Sequence, residues 1–85
     1  MSIDTTIAIR TILSEHGRLA EDVASLTDQS DLFQAGLSSH ASVTLMLALE
    51  EHFDVEFPER MLHRRTFASI AAIRACLNEL GRASA

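Results

Sequence analysis

Two adjacent serines, Ser38 and Ser39, close a polar loop and stand where an apolar-periodic stretch begins. A serine at a helix start has two uses. Its oxygen can accept from a backbone N–H two or three residues on, stabilising the helix by about 1 kcal/mol. Its hydroxyl can instead serve as an attachment point, because the unpaired N–H groups and positive end of the helix favour a phosphorylated group there. Nothing marks either serine as the nucleophile of a reaction of its own. No acid is paired with a base around them, and the adjacent imidazole, His40, would leave the helix about 100° away from Ser39.

The other side chains with chemistry are scattered. His16, His40, His52, His63 and Cys76 lack the Cys-x-x-Cys or His-x3-His spacing of a metal site, so no metal is expected. Cys76 lies between Ile73 and Leu77 and reads as a small buried hydrophobe. A single cysteine forms no intramolecular disulfide, which points to a cytoplasmic protein. The chain has no phosphate-cradling glycine loop, no paired acid and base, and too few residues to enclose a substrate, so it is expected not to be an enzyme.

The elements that must hold the serines are helical. Ile9, Ile12, Leu13 and His16, with Ile3 or Ile7 earlier, predict a first helix over residues 4–16, capped by Ser2 or Asp4 and closed by Gly17. Residues 18–30 have no sustained period but carry Leu19, Val23 and Leu26, which reads as a long ordered loop pinned to the core by Leu26, Leu32 and Phe33. A second helix is expected over 39–52, with Val43, Met46, Leu47, Glu50 and Phe53 on its core face, Leu45 and Leu49 widening it, and Ala41, Thr44, Ala48 and Glu51 outward. Pro58 suits the first turn of a short helix reaching Leu62, followed by basic Arg60, His63, Arg64 and Arg65. The last helix is expected to start on Thr66, bury Phe67, Ile70, Ile73, Leu77 and Leu80, and stop at Gly81. Residues 1–81 thus form one all-α domain, a bundle of three long helices and one short helix with a long first loop, and 82–85 form a frayed tail.

The run Asp31-Leu32-Phe33-Gln34-Ala35-Gly36-Leu37-Ser38-Ser39-His40 resembles the attachment loop of acyl and peptidyl carrier proteins, D-x-F-x-x-G-x-[DH]-S-L, with Asp31, Phe33, Gly36 and Ser39 in register. The resemblance continues from Val43 to Pro58 and implies the acyl-carrier-protein fold, which has the order of elements just derived. It implies that Ser39 bears a 4′-phosphopantetheine arm placed by a Mg-dependent phosphopantetheinyl transferase, with Gly36, Leu37, Ser38 and His40 as the supporting loop. The arm would hold an acyl or aminoacyl group as a thioester and pass it between enzymes. Counting back from Ala48-Leu49-Glu50-Glu51 in the family pattern selects Ser39 over Ser38. Two positions depart from that pattern: Ser38 replaces the usual acidic residue and His40 the usual leucine, so a generic transferase is expected to work poorly.

Acidic residues gather late in the second helix and beyond, at Glu50, Glu51, Asp54 and Glu56, and the following region is basic. Rim charge sets partner choice and association rate, so this pattern argues against a fatty-acid carrier. The runs 35–43, 57–62 and 66–70 are closest in look to freestanding bacterial aminoacyl carriers, which implies a loading ligase resembling a truncated seryl-tRNA synthetase, or another acyl-loading enzyme. Leu37, Ala41, Leu45, Arg60, Arg64 and Arg65 are the candidate contacts. The rival reading is an unmodified helical protein–protein interaction adaptor in which Ser39 only caps.

Composition bounds both readings. Eighty-five residues, 47% of them hydrophobic, make one small core, and a monomer is expected. A net charge of −5 argues against nucleic acid, since phosphate-backbone binders cluster Lys and Arg. No apolar run approaches the roughly 20 residues that span a bilayer, so no membrane partner is expected.

Overall fold

The computed structural model describes the backbone of residues 2–17 and 19–84 and the side chains of 5–17 and 19–81. Three α-helices, α1 (Ser2–His16), α2 (Ser39–Phe53) and α3 (Ile70–Ser84), alternate with three short 3-10 turns, Val23–Ser25, Glu59–Met61 and Arg64–Phe67. No strand occurs among the described residues. This is the expected all-α bundle, except that two 3-10 turns stand where one short helix was predicted. Pro58 precedes the first of these turns as its extended N-cap residue instead of lying inside it.

The core follows helical spacing where the sequence pattern is one-sided. Ile9, Ile12 and Leu13 of α1 are buried, as are Ile70, Ile73, Leu77 and Leu80 of α3. Ile7 faces solvent, and the proposed caps Ser2 and Asp4 lie outside the described side chains. Gly17 N–H donates to Leu13 O, yet the residue is there for closeness rather than for a left-handed turn: a Cβ would sit 2.7 Å from that same carbonyl. α3 starts on Ser69, whose Oγ accepts from Ala72 N–H at 3.0 Å, and not on Thr66, which is buried in the preceding 3-10 turn. Nor does Gly81 end it, since the helical backbone runs on through Ser84, the last of the described tail residues.

The second helix corrects the predicted face. Its buried stripe is Ala41, Leu45 and Leu49, while Val43 and Leu47 are more than half exposed. Because α2 is apolar almost all round, periodicity could not choose its phase. The choice is made at the ends: Leu37 is buried just before the helix, and Glu50 is engaged after it, its Oε2 accepting from Phe57 N–H at 2.8 Å.

The long loop is tied down at Asp28. Its carboxylate accepts from Arg10 of α1 at 2.9 Å and from Arg74 of α3 at 3.0 Å, and its carbonyl accepts from Ala71 N–H. These two guanidinium donors, Arg74 first, hold the Asp28 carboxyl below the usual carboxylate range. Leu26 and Leu32 are buried and Phe33 packs against the core, as expected of the residues that aim the loop.

Candidate functional site

The loop before α2 is built residue by residue. Asp31 Oδ1 accepts from Phe33 N–H at 2.9 Å and from Gln34 N–H at 3.3 Å, turning the chain, and Leu37 N–H returns to Leu32 O at 2.9 Å. Gly36 has φ +116°, and a Cβ there would meet Ala20 N at 2.6 Å. Both facts require glycine. Leu37 then enters the core and Ser38 sits extended at the N-cap, its Oγ accepting from Ala41 N–H at 3.0 Å.

That bond separates the two serines. Ser38 is the cap, with its oxygen engaged in the helix. Ser39 is the first helical residue and is exposed, and its hydroxyl makes no hydrogen bond among the described residues. Its carbonyl accepts from Ser42 Oγ at 2.7 Å. Ser39 also stands at the edge of an open groove of about 490 Å³, inside the range of roughly 300–1,000 Å³ typical of small-molecule sites. The apolar wall comes from Phe33, Val43, Met46, Leu62 and Phe67. The remaining lining is Ser39, Ser42, His63 and Arg64, with no carboxylate. Arg64 lies over the Phe33 ring, its guanidinium carbon 3.8 Å from the centroid, a cation–π contact at the rim.

Of the sequence-derived partner contacts, three are not available as surface. Leu37, Ala41 and Leu45 are buried, because the phase of α2 turns that stripe inward. Val43, Leu47 and Leu62 are the large apolar side chains of this part of the chain that are about half exposed. Arg60, Arg64 and Arg65 are all exposed, but Arg60 is paired with Glu79 at 2.9 Å. His40 is exposed and lies outside the groove lining. Ser39 and Arg64 of the groove lining were named from the sequence, whereas the wall that Val43, Met46, Leu62 and Phe67 form together was not. The one available signal was Leu62, an apolar side chain inside a basic run.

The other reactive groups lie elsewhere. Burial pushes the Cys76 thiol up, a hydrogen bond with Thr66 opposes this, and the charge of Glu79 adds to it. The thiol is therefore held protonated and is a poor nucleophile. Among the described residues no group of three or more His, Cys, Asp or Glu side chains is placed to hold a metal, and no helix is long and apolar enough to cross a membrane.

An exposed serine hydroxyl at a helix start beside a groove free of acids is the arrangement a covalently attached phosphodiester needs. Residues 8–74 match the family described as the phosphopantetheine attachment site. The chain belongs to this family. It is 55% identical to an aminoacyl carrier protein of Agrobacterium fabrum over 65 residues, which are 76% of this chain and 78% of that one. Among solved structures it is similar to a carrier protein from Agrobacterium tumefaciens complexed with an engineered Bradyrhizobium japonicum glycine:[carrier protein] ligase and ATP. That match has a TM-score of 0.86 and 48% identity, covering 88% of this chain and 97% of the other. A second match, to the complex of the Bradyrhizobium japonicum ligase with glycylated carrier protein, has a TM-score of 0.74 and 26% identity over 86% of this chain and 97% of the other. The fold of the chain is that of the aminoacyl carrier proteins. The residues around Ser39 fit the group that the family name implies: the hydroxyl is accessible, Arg64 is at hand for a phosphodiester, and the lining has no like charge to repel it.

Proposed function

We propose that this chain is an aminoacyl carrier whose Ser39 bears a 4′-phosphopantetheine arm. The observation that carries the reading is the division of the serine pair: Ser38 Oγ caps α2, and Ser39 Oγ is left open at the edge of the groove. When bound, the group supplies a thiol that holds an aminoacyl residue as a thioester. The chain's own part is to present that attachment point on a rigid helix start and to be recognised. The solved complexes of related carriers with a glycine:[carrier protein] ligase support glycine or a similarly small amino acid as cargo.

Two kinds of enzyme must then dock here, a phosphopantetheinyl transferase and an amino acid:carrier ligase, in the cytoplasm and with the carrier as a monomer. The exposed apolar side chains Val43, Leu47 and Leu62, rimmed by Arg64 and Arg65, form the surface best suited to them. Charges at such a rim act mainly on association rate and its salt dependence. Charge reversal at Arg64 and Arg65 is expected to slow loading several-fold at low salt while leaving stability within about 0.5 kcal/mol. Unchanged loading would remove both arginines from the docking surface. The chain is read as non-catalytic, the transfers being the work of its partners.

The test is loading in vitro. After co-expression with a transferase, the protein is incubated with ATP, a set of amino acids and a glycine:[carrier protein] ligase, and its intact mass is followed. Gain of one phosphopantetheine and then of one aminoacyl group, the latter released by hydroxylamine, is the expected result. A folded chain that gains neither with any transferase would favour the adaptor reading.

A further inference from the structure

We propose that Asp28, which lies in the long loop and touches neither Ser39 nor the groove, is a positioning residue for the attachment serine: its carboxylate and carbonyl fasten the loop to α1 and α3, and this sets how readily a partner enzyme can use Ser39. The inference rests on Ser39 as the attachment point. Among the described residues Asp28 is the only acid paired with two arginines. Arg10 of α1 places both terminal nitrogens on the loop, Nη2 on Asp28 Oδ1 at 2.9 Å and Nη1 on Val23 O at 3.1 Å. Arg74 of α3 uses one nitrogen, Nη1, to reach Asp28 Oδ2 at 3.0 Å and Thr6 Oγ1 of α1 at 2.9 Å. Two helices and the loop therefore meet at one carboxylate, in charge-assisted bonds that are stronger than neutral ones.

The Asp28 carbonyl accepts from Ala71 N–H at 2.9 Å, one of the donors in the first turn of α3 that has no partner inside the helix. From there a short hydrogen-bonded path leads to the serines. Leu32 N–H donates to Ala68 O, just before α3, at 2.8 Å, and Leu37 N–H donates to Leu32 O at 2.9 Å. Leu37 is followed at once by the Ser38 cap and by Ser39. Ala20 N–H also closes the loop on Ala35 O, but both residues belong to the loop and tie it only to itself. A segment with few repeating backbone bonds opens locally more easily than a helix does, so loss of the clamp loosens this path before it loosens the bundle. A serine that is correctly aimed for only part of the time is used as if its affinity for the partner were lowered by that fraction.

Asp28→Asn keeps the shape of the side chain and removes its charge. Ile73→Val, which trims a fully buried residue of α3 that takes no part in the clamp, is the control for stability loss alone. Both are compared with the parent as substrates of one phosphopantetheinyl transferase, at a temperature where urea curves show every protein folded. The transferase kcat/KM is expected to fall several-fold for Asp28→Asn and to stay close to the parent value for Ile73→Val. Amide hydrogen exchange supplies the readout that a merely structural role would not move: in Asp28→Asn the Leu32 and Leu37 N–H groups should lose several-fold more protection than Leu49 N–H within α2. Should Asp28→Asn fail to fold, Arg10→Lys, which keeps the charge but cannot place two nitrogens, carries the same test with the same signs. An unchanged kcat/KM, a loss matched by Ile73→Val, or protection lost equally at Leu32, Leu37 and Leu49 would overturn the positioning role and leave the attachment reading standing. Absence of any mass gain at Ser39 in the parent would defeat the attachment reading, and this proposal with it.

Discussion

The two long faces of α2 start on neighbouring serines and do opposite things. From Ser38 the inward face runs through Ala41, Leu45 and Leu49 into the core. From Ser39 the outward face runs through Ser42, Val43 and Met46 along the groove. Leu45 and Leu47 are the same residue type two positions apart, yet one is 0% and the other 56% exposed. One helix thus carries a buried face and an exposed apolar face at once, and the contacts at its ends, Leu37 in the core before it and Glu50 bonded to Phe57 N–H, set which is which.

The largest effect expected is on the inward face. Leu45→Ala should cost about 2–5 kcal/mol in urea unfolding, the range for emptying a fully buried leucine site, whereas Leu47→Ala should stay within about 0.5 kcal/mol. Similar costs for the two would erase the distinction between the faces. Gly36→Ala comes next: a side chain at φ +116° that also meets Ala20 N should destabilise by about 1–3 kcal/mol and loosen the loop that aims the serines. Ser38→Ala removes one cap and should lower stability by about 1 kcal/mol.

The smallest effect concerns the loop clamp and depends on pH. Asp28 is held below the usual carboxylate range by Arg74 and Arg10, so its contribution is fully present above its unfolded value, near pH 4. That contribution is lost as pH falls through the lower folded value. Asp28→Asn should therefore be less stable than the parent at neutral pH, on the order of 1 kcal/mol given that the carboxylate is 35% exposed. The gap should close in strong acid. Urea midpoints at several pH values below 5 would check both the size and the sign. A gap that widens in acid would mean that the clamp is not what holds the loop.

Legibility in the sequence followed the same division. The stripe of α3 could be read because polar residues interrupt it: Ile70, Ile73, Leu77 and Leu80 are all buried as their spacing predicts, and so is Phe67, which lies in the 3-10 turn before the helix. The loop motif with Gly36 and the serine pair could be read because each residue type has a geometric reason to be there. The phase of α2 could not, since large apolar residues, Val43 and Leu47 outward and Leu45 and Leu49 inward, fall on both of its sides, and the contacts assigned to Ala41 and Leu45 went with it. Thr66 lost the α3 cap to Ser69 because the chain first makes a 3-10 turn that sets Phe67 edge-on against Phe57, with centroids 5.5 Å apart, and local cap chemistry does not report such a long-range contact. The groove needs side chains from three separate segments and has no local signature.

The central claim is that adjacent serines have separate roles. Fragmentation mass spectrometry of the parent, Ser38→Ala and Ser39→Ala proteins, each co-expressed with the same transferase, tests it most directly. The account predicts one phosphopantetheine on Ser39 in the parent and in Ser38→Ala, and none in a folded Ser39→Ala protein. Modification that persists at Ser38 when Ser39 is alanine would contradict it.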